Sequence, residues 1–435
     1  MHHDGSRRIA MPRHAPRTRG YAREKALRNR ISCPYTGWRL TSRGRSHCGC
    51  RRCARESHEL PRRHASLPPY DTHKEDTNMM TRTLSAVAAL SLVACAAVST
   101  VPANAEDASS FAQGADEGQG RHVKVMIVSM FGPEGQVWLD RLGPWQDIKV
   151  AGLSPDYPAV HCNKQDVCVM TTGMGHANAA ASIMALAFSP RFDLRHTYFM
   201  VAGIAGIDPA QGTLGSAAWA KYLVDFGIQW EIDGREIPSG WNTGYLGINT
   251  KSPSDKPPLD YRTEVFQLNT KLTDAAFALS RNVTLSDNAQ AQAARAKYGY
   301  APANQPPTVV QCDTLAGDTW WSGTLLGERA RDWTKILTDG KGVYCTTQQE
   351  DNATYEALTR AAAVGRVDLN RVAVLRAGSD FDRPYAGQSS ADNLLNYAAQ
   401  GGFSIAIENL YRAGNPLVQD IATHWAEWRE GVPGR

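Results

Sequence analysis

Short apolar runs bounded by Gly, Pro and polar residues recur along this chain from residue 123 onward. Val123-Lys-Val-Met-Ile-Val128 ends in a turn at Gly132 and Pro133. Similar runs lie at 167–170, 198–202, 217–222, 309–310, 342–344 and 372–375. A short apolar run closed by turn residues reads as a buried strand. Between these runs, residues 177–188, 272–281, 353–364 and 390–411 carry the composition of helices. Strands alternating with helices predict an α/β fold, a three-layer sandwich with a mostly parallel twisted central sheet. Residues 238–262 are rich in Pro, Gly, Asn and Ser and predict a long excursion from the sheet.

Ahead of residue 121 the pattern is different. Residues 1–78 hold 18 Lys and Arg against 7 Asp and Glu, with no sustained apolar periodicity. Such a segment buries too little apolar surface to offset chain entropy, so it reads as disordered or as an extension upstream of the true start. Cys48, Cys50 and Cys53 lack the second ligand pair of a zinc site. Residues 79–105 open on Met-Thr-Arg-Thr, run apolar from Leu84 to Val98 and end on Ala103-Asn104-Ala105. That order predicts a secretory signal peptide and a periplasmic or secreted protein. The stretch Leu92-Val93-Ala94-Cys95 offers lipid anchoring through Cys95 as the alternative. Residues 106–120 then form a linker, and 121–428 a single domain.

Charge changes once these segments are set apart. The whole chain has a formal net charge of +4, but residues 106–435 hold 28 Lys and Arg against 36 Asp and Glu. A net-acidic body without a basic stripe argues against nucleic acid and anionic membranes as partners. After residue 105 no uncharged apolar run approaches the ~18 residues of a spanning helix. An integral membrane segment is therefore not expected there, nor are the alternating segments of an outer-membrane barrel visible. Cys162 and Cys168 flank a polar turn and can bridge across it; Cys312 and Cys345 each follow a strand-like run. Buried free thiols are the alternative to disulfides.

In open α/β sheets, ligands bind beyond the carboxyl ends of the strands. Chemistry-bearing residues collect there. Glu134 follows the first strand, Gly173-Met174-Gly175 the second and Gly203-Ile204-Ala205-Gly206 the third. Glu350 lies past Tyr344, and Ser379-Asp380 follow the run 372–375. Three carboxylates converging on one sheet edge suit acid–base work on a glycosidic bond. Taken singly, each has a structural reading: a tight turn, a helix cap, or an acidic residue in a first helical turn.

Six blocks taken in order resemble the purine nucleoside permease family. They are Phe131-Gly-Pro-Glu134, the 171–180 stretch Thr-Thr-Gly-Met-Gly-His-Ala-Asn-Ala-Ala, Val201-Ala-Gly-Ile-Ala-Gly206, Gly317-Asp-Thr-Trp-Trp321, Gln349-Glu-Asp-Asn352 and Arg376-Ala-Gly-Ser-Asp380. More distantly they resemble the nucleoside phosphorylase and methylthioadenosine nucleosidase superfamily. That resemblance implies a nucleoside phosphorylase-like fold and binding of purine nucleosides. It implies Glu134 as the base that activates water and Asp380 as the acid that protonates the purine at N7. Glu350 would grip the ribose hydroxyls, and Trp320 would stack on the base. Gly175, Gly203, Ala205, Gly206, Asn352 and Ser379 complete the implied substrate-binding set.

The chain departs from the nucleosidases where Gln349-Glu350-Asp351-Asn352 replaces a Met-Glu-Ala run. No cluster of arginines for clamping phosphate stands out, and Arg376 reads better as an ion-pair residue. No metal or organic cofactor is expected; inorganic phosphate stays open as a co-substrate, and so does a homo-oligomer. The function expected is an exported purine nucleoside-cleaving enzyme. The alternative is a non-catalytic periplasmic nucleoside-binding component that supports transport.

Overall fold

The computed structural model describes residues 120–434. The expected extension, signal peptide, Cys95 anchor and linker up to residue 119 lie outside the described residues. Twelve strands form one sheet. They are β1 (Val125–Ser129), β2 (Gln146–Lys149), β3 (Ala159–Cys162), β4 (Val167–Thr171), β5 (Tyr198–Ile207) and β6 (Ala217–Trp219). After these come β7 (Tyr222–Asp225), β8 (Val265–Gln267), β9 (Val309–Gln311), β10 (Asp313–Ala316), β11 (Tyr344–Gln348) and β12 (Val372–Phe381). The helices used below are α1 (Gly132–Leu142), α2 (His176–Ala187), α3 (Thr270–Ser280), α4 (Ala289–Arg295), α5 (Thr324–Leu337), α6 (Asp351–Ala363), α7 (Ser390–Leu395) and α8 (Gly402–Thr423).

Alternation along β1 explains the layers. Successive side chains of a strand point to opposite faces. Val125 and Ile127 pack with Trp138 of α1, Ala276 of α3 and Leu410 and Leu417 of α8. Met126 and Val128 pack on the other side with Ile183 and Leu186 of α2 and Leu358 and Ala361 of α6. Two separate cores, one on each face, make the three-layer α/β arrangement. Each buried Val, Ile or Leu contributes about 1.5–3 kcal/mol.

Strand order runs β8-β7-β10-β11-β5-β1-β4-β3-β2, with β12 on the other edge of β5 and continuing to β6 and β9. Parallel ladders hold the middle, where β4, β1, β5 and β12 run side by side. Antiparallel pairs lie at the margins and at two junctions, β11 on β5 and β12 on β6. The ten-residue β5 is the branch point. On one edge it pairs with β12 along nearly its whole length. On the other, β1 pairs with residues 198–201 and β11 with 206–207. Between them, residues 202–205 have no strand partner on that edge.

Three expectations are corrected. The Gly203–Gly206 motif does not follow its strand but lies inside β5, and Ser379-Asp380 lie inside β12. Small residues allow both strands to continue, and a register shift between Gly378 and Asp380 absorbs the irregularity. The helix expected over 390–411 is broken into α7, a 3₁₀ turn at Tyr397–Gln400 and α8. Gly401 sits at φ +74°, a left-handed conformation that ends a helix, and a Cβ there would crowd Gln290. A small hairpin, Trp230–Glu231 against Tyr245–Leu246, begins ahead of the expected excursion and ends inside it. Arg329 of α5 holds it by donating to Gln229 Oε1 and to the Pro253 carbonyl.

Cys162 and Cys168 face each other across β3 and β4 and are disulfide-bonded. A second disulfide joins Cys312, just before β10, to Cys345 of β11.

Candidate functional site

A cavity of about 350 Å³ opens at the branch in the sheet. Its size falls in the range of small-molecule sites. Glu134 reaches it from the first turn of α1. The side chain folds back, so that Oε2 accepts the Met130 N–H at 2.8 Å and Oε1 accepts the Ile204 N–H at 2.7 Å. The second bond uses the stretch of β5 that neither β1 nor β11 covers. Both oxygens act as acceptors, the pattern of an ionised carboxylate. Burial pushes the Glu134 pKa up to about 7, against the pull of Arg376 and of these two bonds.

Arg376 enters from β12 and is buried. Its guanidinium pairs closely with Asp351, lies 3.3 Å from Glu350 and reaches the Ile204 carbonyl at 3.3 Å. Burial alone would lower its pKa, but Asp351 and Glu350 outweigh that and raise it. Gly203 makes room for this group. A Cβ at 203 would overlap Met130 and crowd Arg376 and Glu134. Glu350 also accepts the Gly175 N–H at 3.0 Å, which ties the loop before α2 to the start of α6.

Asp380 is buried, and its pKa is pushed up to about 6, first by burial and then by the nearby Asp382 charge. The Ser379 hydroxyl lies 2.7 Å from Asp380 Oδ1 and 3.1 Å from the Ala205 carbonyl oxygen. A hydroxyl has one proton for these two acceptors. When Asp380 is ionised, Ser379 donates to it. When Asp380 is protonated, it can donate to Ser379, which then serves Ala205. The arrangement accommodates both protonation states.

Asp382 is held by Tyr344 Oη at 2.8 Å and by Arg383 Nε at 2.8 Å. The mouth is aromatic. Trp320 is about half exposed and tilts against Tyr397 at 4.7 Å, and Phe131 lies 6.1 Å from Phe403. Among the described residues, no group of three or more His, Cys, Asp or Glu is arranged to hold a metal ion.

The structure brings together most of the residues expected from sequence. Glu134, Ala205, Gly206, Trp320, Glu350, Ser379 and Asp380 all line the cavity. Gly175 and Gly203 do not line it; they support the residues that do. Asn352 is turned away, its amide donating to the Thr263 carbonyl at 2.8 Å. Residues that the sequence did not single out include Asp382, Arg376 as a lining residue, and the aromatics Tyr397 and Phe403. Asp382 lies two positions beyond Asp380, just past the end of β12, and this second Asp so close to Asp380 is the signal that could have flagged it.

The fold and site define an α/β protein with an acidic, aromatic-rimmed cavity at a branch in its sheet. The Purine nucleoside permease family matches residues 122–433, and the chain belongs to that family. A probable purine nucleoside permease of Schizosaccharomyces pombe is 43% identical over 70% of this chain and 90% of its own length. A purine nucleoside permease of Candida albicans is 39% identical over 69% of this chain and 75% of its own. Among solved structures, a 5′-methylthioadenosine/S-adenosylhomocysteine nucleosidase of Neisseria meningitidis matches 68% of this chain and 99% of its own, at 12% identity and a TM-score of 0.42. A futalosine hydrolase of Helicobacter pylori matches 68% of this chain and 98% of its own, at 11% identity and a TM-score of 0.42. No helix of the described residues is long and apolar enough to cross a membrane.

Proposed function

We propose that the protein binds purine nucleosides in this cavity and cleaves their N-glycosidic bond. The observation that carries this reading is a pair of buried carboxyl groups in one cavity, Glu134 and Asp380, whose pKa values are raised to about 7 and about 6. General acids and bases work best when poised near the operating pH. Asp380 is the acid, protonating the purine at N7 and making it a leaving group. Positive charge then develops on the ribose, next to the acidic wall. Glu134 takes a proton from the nucleophile that adds at the anomeric carbon. Glu350 grips the ribose hydroxyls, and Trp320 offers an apolar face to the base.

Export is part of the proposal. The sequence at 79–105 supports it, and so do the two disulfides, which persist in oxidising compartments. A second reading has the relatives' name behind it: a nucleoside-binding component that supports uptake without cleaving. Incubation with inosine and adenosine, with and without phosphate, separates the two. Release of free base supports cleavage. Binding of nucleosides with no release under either condition overturns it in favour of the binding component.

A further inference from the structure

We infer that this cavity takes uncharged nucleosides together with water, and turns away phosphate both as an acceptor and as a 5′ substituent. The inference rests on the cleavage reading for its chemical step. Phosphate recognition needs donors with charge to spare, such as forked arginines or free N–H groups at a helix start. Here the protein supplies its own anions to those donors. Arg376 is the one cationic side chain lining the cavity among the described residues. Its Nε and Nη2 are held by Asp351, Nη2 also faces Glu350, and Nη1 reaches the Ile204 carbonyl. Glu134 stands beside it as a third acidic neighbour.

The next cations out are matched as well. Arg383 binds Asp382 and Glu328 and lies 3.5 Å from Asp208. Arg331 binds Asp208 and Glu328. His176 sits between Asp225 at 3.4 Å and Asp318 at 3.3 Å.

The starts of α1 and α2 at the cavity are also occupied. Ahead of α2, the Gly175 N–H goes to Glu350 and the His176 N–H to Asp318 at 2.8 Å. Ahead of α1, the Met130 N–H goes to Glu134 and the Gly132 N–H to Tyr157 Oη at 3.0 Å. Besides Arg376, the charged groups lining the cavity are the acidic set Glu134, Glu350, Asp380 and Asp382. A phosphate dianion would meet this acidic wall with the one lining guanidinium already paired, whereas the ribose hydroxyls of a neutral nucleoside and a water bring donors to these carboxylates.

The step balances with water. The bond from C1′ to the purine nitrogen breaks, and its electron pair goes to the base, which receives a proton at N7 from Asp380. Water adds its oxygen to C1′ and gives a proton to Glu134. Free base and ribose leave, and solvent returns the proton from Glu134 to Asp380.

The test uses the purified full chain, inosine or adenosine, and the matching 5′-monophosphate, in buffer with no phosphate and with millimolar phosphate. The expected products are base and ribose, at a rate unchanged by phosphate. The monophosphate should show kcat/KM lower by at least about a hundredfold, equivalent to about 2.7 kcal/mol. Formation of ribose 1-phosphate, or turnover that requires phosphate, overturns the inference while leaving the cleavage reading intact. If no base appears in either buffer, the cleavage reading falls, and calorimetric titration still decides the anion question. A nucleoside bound at least about tenfold more tightly than its monophosphate supports exclusion. Equal or tighter binding of the monophosphate, or no binding of either, overturns it.

Discussion

Replacing Asp380 by Asn separates what the carboxyl does for chemistry from what it does to the fold. Burial lifts its pKa from 3.8 to about 6. The folded chain therefore holds this proton more tightly than the unfolded chain. The stability this confers is complete below pH 3.8 and is lost as pH rises through about 6. Above that, the ionised buried carboxylate costs the fold about 3 kcal/mol relative to the protonated form. Asn is nearly isosteric, and its Oδ1 can still accept the Ser379 hydroxyl. It carries no charge at any pH. Asp380→Asn should therefore stabilise the protein at pH 8, by up to about 3 kcal/mol more than at pH 4, a Tm difference of a few degrees. Turnover should fall ~100- to 10,000-fold, because an amide is no acid near neutrality. Thermal unfolding at the two pH values, run beside release of free base, measures both effects. A Tm change equal at pH 4 and pH 8 refutes the buried-charge reasoning. Turnover within about tenfold of wild type refutes the acid role.

Glu134→Gln should lose at least about a hundredfold in turnover. Its amide nitrogen must face either the Met130 or the Ile204 N–H, so urea titration at pH 5 should show a loss of about 1–3 kcal/mol. The kcat/KM of wild type should be bell-shaped in pH with limbs near 6 and 7, since Asp380 must be protonated while Glu134 is ionised; a flat profile from pH 5 to 8 would contradict this. Arg376→Met leaves Asp351 and Glu350 buried without their counter-ion and should cost about 3–5 kcal/mol by denaturant titration. Replacing both members of the Cys312–Cys345 pair by Ser should cost about 4 kcal/mol and of the Cys162–Cys168 pair about 2, because the first closes the longer loop, with sequence separations of 33 and 6. Equal losses would speak against a loop-entropy origin.

The middle of the sheet was legible in the sequence because β1, β4, β5 and β12 are buried on both faces. Their Val, Ile, Met and Ala runs have no polar side to interrupt them. The edge strand β2, Gln-Asp-Ile-Lys, is mostly exposed and carries no such signal. Helix α5 was missed because Glu328, Arg329, Arg331 and Asp332 break its apolar stripe; Arg329 is nonetheless buried, over the Trp333 ring. The acidic residues of the site stood out beside Gly-rich turns. Their placement did not, because it depends on partners far away in sequence: Glu134 on Ile204, Glu350 on Gly175, Asp382 on Tyr344. Asn352 shows the opposite failure. It adjoins two site residues, Glu350 and Asp351, yet one further step around the first turn of α6 carries its side chain to Thr263.

The site exists because β5 has two partners on one edge. Had β1 run the full length of β5, the Ile204 N–H and carbonyl would be bonded within the ladder, as a strand requires. With β1 ending at Ser129 and β11 joining only at Gly206, those two groups must find side chains. The N–H takes Glu134 and the carbonyl takes Arg376. Satisfying the two backbone groups of this one residue thus places an acid and a base side by side, and the charge of Arg376 calls for Asp351 and Glu350 in turn. The surplus of acid over base at this gap follows from that chain of requirements. It also explains why Gly203 is small and why Glu134 is held by two backbone N–H groups: both are conditions for filling the gap without strand pairing. The groups proposed to do the chemistry are therefore also what closes the branch in the sheet. Substitutions at Glu134 and Arg376 should for that reason change stability and activity together, whereas Asp380, which closes no gap, should let the two separate.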